Sequence, residues 1–97
     1  MKPSESPMQL KYFATFRDIT RCKAEDIPAP SNVLALLHYL CERYAGFRPK
    51  LLAPDGTDAG EETIILVNGR NISHLDGVAT PLAEADKVSI FPVVAGG

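Results

Sequence analysis

The end of the sequence carries the group with the most evident chemical use, a carboxylate on a narrow tether. The chain runs from two valines through Ala95 into Gly96 and Gly97. Glycine has no Cβ, so this backbone is thin and reaches conformations closed to other residues. The last four residues extend to about 13 Å, enough to place the Gly97 carboxylate in a partner's active site. Because chain ends commonly fray, this interpretation depends on the domain that carries the tail.

Length and composition restrict the classes of protein that fit. A chain of 97 residues with 45% apolar and 23% charged residues predicts one globular domain. The net charge of −2 gives no basic excess, which argues against nucleic-acid binding. No apolar run has the length of a signal peptide or a membrane span, so we expect no membrane partner and a cytoplasmic location. We divide the chain into a disordered leader (1–7), a folded domain (8–93) and a flexible tail (94–97).

Neither a metal site nor a cofactor site is indicated. Cys22 and Cys41 form no C-x-x-C pair, and their spacing from His38 and His74 is not that of metal ligands. We interpret both cysteines as ordinary buried or half-buried thiols. The glycines never form a phosphate-binding loop. We therefore expect this chain to bind no cofactor and no metal.

Two strands are predicted at the start of the domain. Apolar residues alternate with polar ones over residues 8–17, which is typical of a strand with one face on a core. Phe13 is an exception, because it is a large aromatic residue on the otherwise polar face. Asp18-Ile19-Thr20 predicts a turn, and residues 20–27 then return as an edge strand in a simple hairpin.

One long helix and two further strands follow. Ser31 or Asn32 is a suitable cap, Gly46 a suitable stop, and the intervening apolar residues recur at helical spacing: Val33, Leu36, Leu37, Leu40, Cys41 and Tyr44. Thr63–Val67 reads as an apolar strand closed by the turn Asn68-Gly69. Residues 71–85 read as irregular, and the last strand starts near Lys87. Between the helix and the apolar strand, residues 47–62 read as a long loop.

This order of elements predicts an apolar patch on the sheet. A helical crossover allows the first and last strands to lie parallel at the centre of a mixed sheet. Phe13 and Phe91 would then be neighbours on the face away from the helix, and Ile64 or Leu66 would join them. Burying each such side chain contributes roughly 1.5–3 kcal/mol, so we predict partner docking through Phe13, Phe91, Pro92 and Leu66. The alternative is that the long loop or the leader folds back over them.

The strand order is that of the β-grasp, or ubiquitin-like, fold, and the sequence resembles the MoaD/ThiS family of sulfur carriers over residues 8–97. The resemblance implies an α+β domain with a mixed sheet of four to five strands and one main helix packed across it. It departs from the family pattern at Ala85, where glycine is usual, and at Val93, where molybdopterin carriers often have proline. The residues that carry it are 10–18, 67–72, 75–77, 80–82 and 86–97.

The resemblance implies a carrier rather than an enzyme. An ATP-dependent, E1-like activating enzyme would join the Gly97 carboxylate to AMP, and Mg-ATP would bind to that partner. Sulfur from a persulfide donor would displace AMP and leave a thiocarboxylate, while Gly96 and Ala95 let the tail pass a narrow channel. The sulfur would pass to a synthase large subunit, most simply in molybdopterin synthesis because of Phe91-Pro92.

Three alternatives stay open at this point. The tail is also close to that of a carrier that serves cysteine synthesis, and a carrier for thiamin synthesis is kept as an alternative although Phe91-Pro92 resembles that branch less. A β-grasp domain ending in Gly-Gly is also compatible with a protein modifier, which shares the adenylation step but forms isopeptide bonds to lysines. A plain interaction module, in which the two glycines have no chemical role, is the third.

Overall fold

The structure is a computed structural model that describes residues 7–93. The predicted leader (apart from Pro7) and the tail 94–97 lie outside the described residues. Five strands, three α-helices and two single 3-10 turns follow one another within the described residues. Their bounds are β1 Met8–Tyr12, α1 Thr15–Thr20, β2 Ala24–Ile27, α2 Val33–Arg43, α3 Arg48–Leu51, β3 Thr63–Val67, β4 Arg70–Asn71, 3-10 turns Ile72–His74 and Gly77–Ala79, and β5 Lys87–Pro92.

The strands form one mixed sheet in the order β2-β1-β5-β3-β4. The central pair, β1 and β5, is parallel, with Leu10 opposite Val88 and Tyr12 opposite Ile90. Strand β3 runs antiparallel to β5 on its other side, with Ile65 opposite Ile90. This is the predicted β-grasp arrangement, an α+β fold with the first and last strands side by side at the centre.

Helix α2 covers one face of the sheet and forms the core with it. Its N-cap is Asn32, whose side chain accepts a hydrogen bond of 2.9 Å from the Ala35 N–H, as predicted. The helix ends at Arg43, short of the predicted stop at Gly46, and Tyr44 is already extended. Five residues of the predicted stripe are fully or almost fully buried: Val33, Leu36, Leu37, Leu40 and Cys41.

The first strand is shorter than predicted, and a helix replaces the simple hairpin. Strand β1 ends at Tyr12, and Ala14 takes a positive φ of 55° that breaks the extended backbone. The residues expected to turn, Asp18-Ile19-Thr20, lie inside α1. Phe16 still reaches the core, with 1% of its surface exposed, but it does so from α1 instead of from a strand.

A hydrogen-bonded cluster around Glu25 ties the edge strand β2 to β1 and α2. One carboxylate oxygen of Glu25 accepts hydrogen bonds from the hydroxyls of Tyr12 (2.5 Å) and Tyr44 (2.7 Å). The other oxygen forms a 3.1 Å ion pair with Arg43. Burial, with the bond to Glu25, raises the pKa of Tyr44 to about 12 and raises that of Tyr12 as well. The cluster fixes β1 at the residue that precedes Phe13.

The segment 47–62 is more ordered than a plain loop. It contains α3, and its Leu51 and Leu52 are buried, as expected of residues that fill the core. His38 Nε2 on α2 is hydrogen bonded to the Gly56 carbonyl at 2.9 Å. A Cβ on Gly60 would overlap the carbonyl oxygen of Lys50, so glycine is needed there for close packing of two backbone segments.

The region after β3 also contains more structure than predicted. Asn68 and Gly69 have φ values of 52° and 85°, and they form the predicted tight turn. That turn leads into β4, a strand of two residues that the sequence pattern did not indicate. The two 3-10 turns lie within the segment 71–85 that was predicted to be irregular.

Candidate docking face and C-terminal tail

Phe13 and Phe91 stack on the face of the sheet opposite α2, which we call the open face. Their ring centroids are 4.2 Å apart and the rings are inclined by 12°. Phe13 directly follows β1, and its N–H donates to the Ile90 carbonyl at 3.2 Å, so the parallel pairing continues to the two aromatic residues. Both side chains are half-buried. The predicted adjacency is confirmed, while the predicted docking role stays a prediction.

Two aliphatic residues of β3 extend this apolar area. Ile64 is the direct cross-strand partner of Phe91, and Leu66 lies opposite Ser89, one step further along the same face. Both are half-buried. Because side chains alternate along a strand, Pro92 has the orientation of Ile90 and lies on the covered side at the end of β5. Its docking role also stays a prediction, on a different face from that of Phe91.

Charged residues stand at the two ends of the apolar area. On β5 the residues that share the open face are Lys87, Ser89 and Phe91 in that order, and Lys11 of β1 lies opposite Ser89. Both lysines are exposed. Glu62 lies at the other end, because the Val93 N–H donates to its carbonyl at 2.8 Å and continues the β3–β5 pairing beyond Phe91. Asp26 of β2 is also exposed on this face, where it lies opposite Gln9 in the row of Lys87. The two lysines still outnumber this one aspartate, so that end of the open face is net basic and the end at Glu62 is acidic.

The acidic end is also where the tail begins. Val93 is the last described residue and is 47% exposed. A groove of about 430 Å³ beside it is lined in part by Asp58 and Glu61 as well as by Ile64. The residues predicted to carry or thread the reactive group, Ala95, Gly96 and Gly97, lie outside the described residues. The structure does show Val93, the residue after which the tail continues, two residues beyond Phe91.

Besides the open face, the features of the described part of the chain that bear on function are the two cysteines, possible metal ligands and possible membrane-spanning helices. Cys22 is half-buried and Cys41 is buried, both as free thiols, and burial raises the pKa of the Cys41 thiol. Within residues 7–93 no cluster of three His, Cys, Asp or Glu side chains converges on a point where a metal ion would fit. Across that same range, no helix has the length and apolar character needed to cross a bilayer.

Sequence reasoning missed part of the open face. Ile64 was named beside Leu66 as a possible neighbour of the aromatic pair, and the structure places Ile64 nearer, directly opposite Phe91. The charged residues Lys11 and Glu62 were not considered. The β3–β5 register would have found Ile64 and Glu62, and the β1–β5 register would have found Lys11; a single sequence pattern supplies neither.

Comparisons with known proteins agree with this geometry. A family model described as the ThiS family matches residues 10–97. Small archaeal modifier protein 3 of Haloferax volcanii is 38% identical over 92 residues, which are 93% of this chain and 98% of that protein. The molybdopterin synthase sulfur carrier subunit of Phaeosphaeria nodorum is 33% identical over 86 residues, covering 89% and 85% of the two chains. The solution structure of small archaeal modifier protein 1 from Methanosarcina acetivorans gives a TM-score of 0.81 at 26% identity and covers 96% of this chain and 98% of that one.

Proposed function

This chain belongs to the ThiS family of ubiquitin-like sulfur carriers, and from that premise we propose that Gly97 carries sulfur as a C-terminal thiocarboxylate. The observation that carries the proposal is the family match, which runs through the two terminal glycines. The chain then contributes the carried group and a docking face. An ATP-dependent activating enzyme contributes Mg-ATP and the catalytic groups.

The chemistry requires activation first, because a carboxylate is a poor electrophile. A Gly97 carboxylate oxygen attacks the α-phosphate of ATP, and pyrophosphate leaves. The terminal sulfur of a persulfide on the donor then attacks the acyl carbon, a C–S bond forms, the C–O bond breaks, and AMP leaves. A thiol reductant cleaves the remaining S–S bond and releases the thiocarboxylate, a soft nucleophile suited to transfer its sulfur.

The open face fits the docking part of this proposal. Phe13, Phe91 and Ile64 form an apolar area only two residues from the start of the tail, and each offers area that a partner would bury. An enzyme that holds this face would bring the tail to its active site within the reach of about four extended residues. Because the activating enzyme and the sulfur acceptor would bind in turn, we expect a modest, exchangeable interface.

Pyrophosphate release tests the activation step. The chain is incubated with Mg-ATP and the adenylating enzyme encoded in the same genome, and release is followed with time. The wild-type chain should support release, whereas G96F should stop it, because a ring at Gly96 blocks a narrow channel while the body of the domain is untouched. Release from G96F at the wild-type rate would contradict the threading argument, and an unchanged melting temperature controls for folding.

The acceptor of the sulfur is proposed from the relatives. The similarity to a molybdopterin synthase sulfur carrier subunit favours a pterin acceptor held by a synthase large subunit. Conversion of a cyclic pterin phosphate to a dithiolene by the loaded chain with such a subunit would support this. If the loaded chain transfers no sulfur with that subunit but does so with an enzyme of cysteine or thiamin synthesis, the chain serves that other pathway instead.

A second function, protein modification, is favoured by a specific similarity. The 38% identical relative over almost the full chain is named a small archaeal modifier protein. In that role the same adenylate is attacked by a lysine amine, and an isopeptide bond forms with loss of AMP. Peptides from cell lysate that carry the chain's C-terminal residues on a lysine would support it. Their absence under conditions that load the thiocarboxylate would favour the carrier role alone.

A further inference from the structure

We infer that the open face selects partners of opposite charge polarity, and this rests on the proposed function. The partner would receive Phe13 and Phe91 in an apolar pocket, with acidic side chains opposite Lys11 and Lys87. Basic side chains would face Glu62 at the mouth that admits the tail. The surface would thus fix the direction in which the domain docks as well as the place.

The arrangement of the charges along β5 supports this polarity. Lys87 and Val93 are six residues apart, and a strand rises about 3.3 Å per residue, so the two ends of the face are separated by about 20 Å. Glu62 pairs with Val93, while Lys11 lies beside Ser89, four residues before Val93, so Lys11 and Glu62 are about 13 Å apart along the strands. The Debye length is about 8 Å at physiological ionic strength. A partner therefore senses the basic end and the acidic end as separate charges.

These charges are free for a partner to use. Lys11, Lys87 and Glu62 are exposed, and the ion pair found within residues 7–93 joins Arg43 to Glu25, away from the open face. A charge at the rim of an interface changes the association rate more than the stability of the domain that carries it. With a net charge of only −2, steering of this chain depends on where its charges lie rather than on their sum.

The acidic end has a chemical consequence for the tail. Glu61, Glu62 and Asp58 stand around the residue from which the tail departs, and the tail ends in a carboxylate. All of these groups are negative, so basic side chains at the mouth of the partner's channel attract both the face and the group to be adenylated. A domain docked in the reverse direction would set Glu62 against acidic groups, which repel it.

A double inversion that keeps the net charge tests the inference. Lys11→Glu combined with Glu62→Lys reverses the polarity of the open face and leaves the total charge unchanged. The matched control combines Glu42→Lys with Arg48→Glu, two exposed residues on the helices of the covered side. The assay is pyrophosphate release with Mg-ATP and the adenylating enzyme from the same genome, at low and at high salt.

We expect kcat/KM of the inverted variant to fall about tenfold at low salt, with kcat little changed, because docking rather than chemistry is affected. The control should stay within about twofold of the wild type. At 1 M salt the Debye length is about 3 Å, so the difference should largely disappear. In each of the single variants K11Q and E62Q, kcat/KM at low salt should fall about threefold. These variants keep the test valid if the double variant has a lowered melting temperature.

Two results would overturn the inference in distinguishable ways. An inverted variant with the kcat/KM of the wild type, or an equal loss at both salt concentrations, would show that polarity does not guide docking, and the proposed function would stand. A wild-type chain that supports no pyrophosphate release at all would overturn the proposed function, and this inference with it.

Discussion

Tyr12 and Phe13 are adjacent in the chain, yet they belong to different aromatic clusters on opposite faces of the sheet. Tyr12 is 1% exposed and packs against Tyr44 and Phe47 at centroid distances of 6.3 and 6.1 Å. Phe13 stacks on Phe91 and stays half-exposed. The inner cluster is enclosed by α2 and by the segment after it. The outer pair has no covering element among residues 7–93.

This contrast separates side chains that stabilise the fold from side chains available to a partner. Area buried within the domain contributes to the free energy of unfolding, so truncating it removes stability. Area left on the open face contributes little until a partner covers it. The four predictions below use this difference, beginning with the largest expected effect on stability.

Leu36→Ala should be the most destabilising of these changes. Leu36 is fully buried between α2 and the sheet, so the substitution removes contacts and leaves a cavity. We expect a loss of about 3 kcal/mol in the free energy of unfolding, measured by urea denaturation. For a domain of this size the melting temperature should fall by more than about 10 °C. A loss below about 1 kcal/mol would mean that the covered face is not a close-packed core.

Gly60→Ala should destabilise the same side of the molecule through the backbone. The added methyl group would overlap the Lys50 carbonyl, and the two segments must move apart. We expect a loss of about 2 kcal/mol in the free energy of unfolding, measured by urea denaturation. Gly46→Ala is the matched control, because a Cβ at Gly46 would lie 3.5 Å from Ile19, an ordinary contact distance. Equal stability of the two variants would contradict the close packing of residues 50 and 60.

The Glu25 cluster predicts a loss of stability at alkaline pH. The pKa of Tyr44 rises from 10.0 to about 12 in the folded state, so folding favours the protonated phenol. Its contribution is fully present below about pH 10 and is lost as the pH rises from there through 12. Y44F should be less stable than the wild type at pH 8 and should show a shallower decline above pH 10. If the free energy of unfolding declines equally in the two proteins above pH 10, ionisation of Tyr44 does not cause the loss of stability.

Phe91→Ala should have the smallest effect on stability and a large effect on binding. The ring is half-exposed, and its main partner is Phe13 on the surface, so we expect a loss of about 1 kcal/mol or less. Association with the activating enzyme should weaken by tenfold or more, measured by titration calorimetry. A melting temperature as low as that of L36A would show that Phe91 belongs to the core instead.

The sequence was sufficient for the long elements of the fold and for the aromatic pair. Helix α2 and strand β3 have patterns repeated over several residues, and alternation alone separated Phe13 from Tyr12. The end of β1 was predicted wrongly, because Phe16 continues the alternating pattern while lying in a helix. The strand ends because Ala14 has a positive φ, and the residue types around Ala14 do not predict that conformation.

The remaining part of the site depends on tertiary pairing. Strand β4 has two residues and carries no periodicity. The position of Ile64 beside Phe91, and of Glu62 beside Val93, follows from the β3–β5 register. That register is fixed by packing of the covered face, not by the open face itself. The charge polarity of the open face therefore became visible only with the structure.

The central claim is that Gly97 is the group that carries sulfur, and the intact mass of the chain tests it most directly. The untagged chain is incubated with the adenylating enzyme, Mg-ATP and a persulfide donor with a thiol reductant, and is then weighed by mass spectrometry. We predict a gain that corresponds to one sulfur in place of one oxygen, located in the C-terminal peptide and lost on mild hydrolysis. An unchanged mass, while the enzyme and donor load another carrier in the same mixture, would contradict the claim.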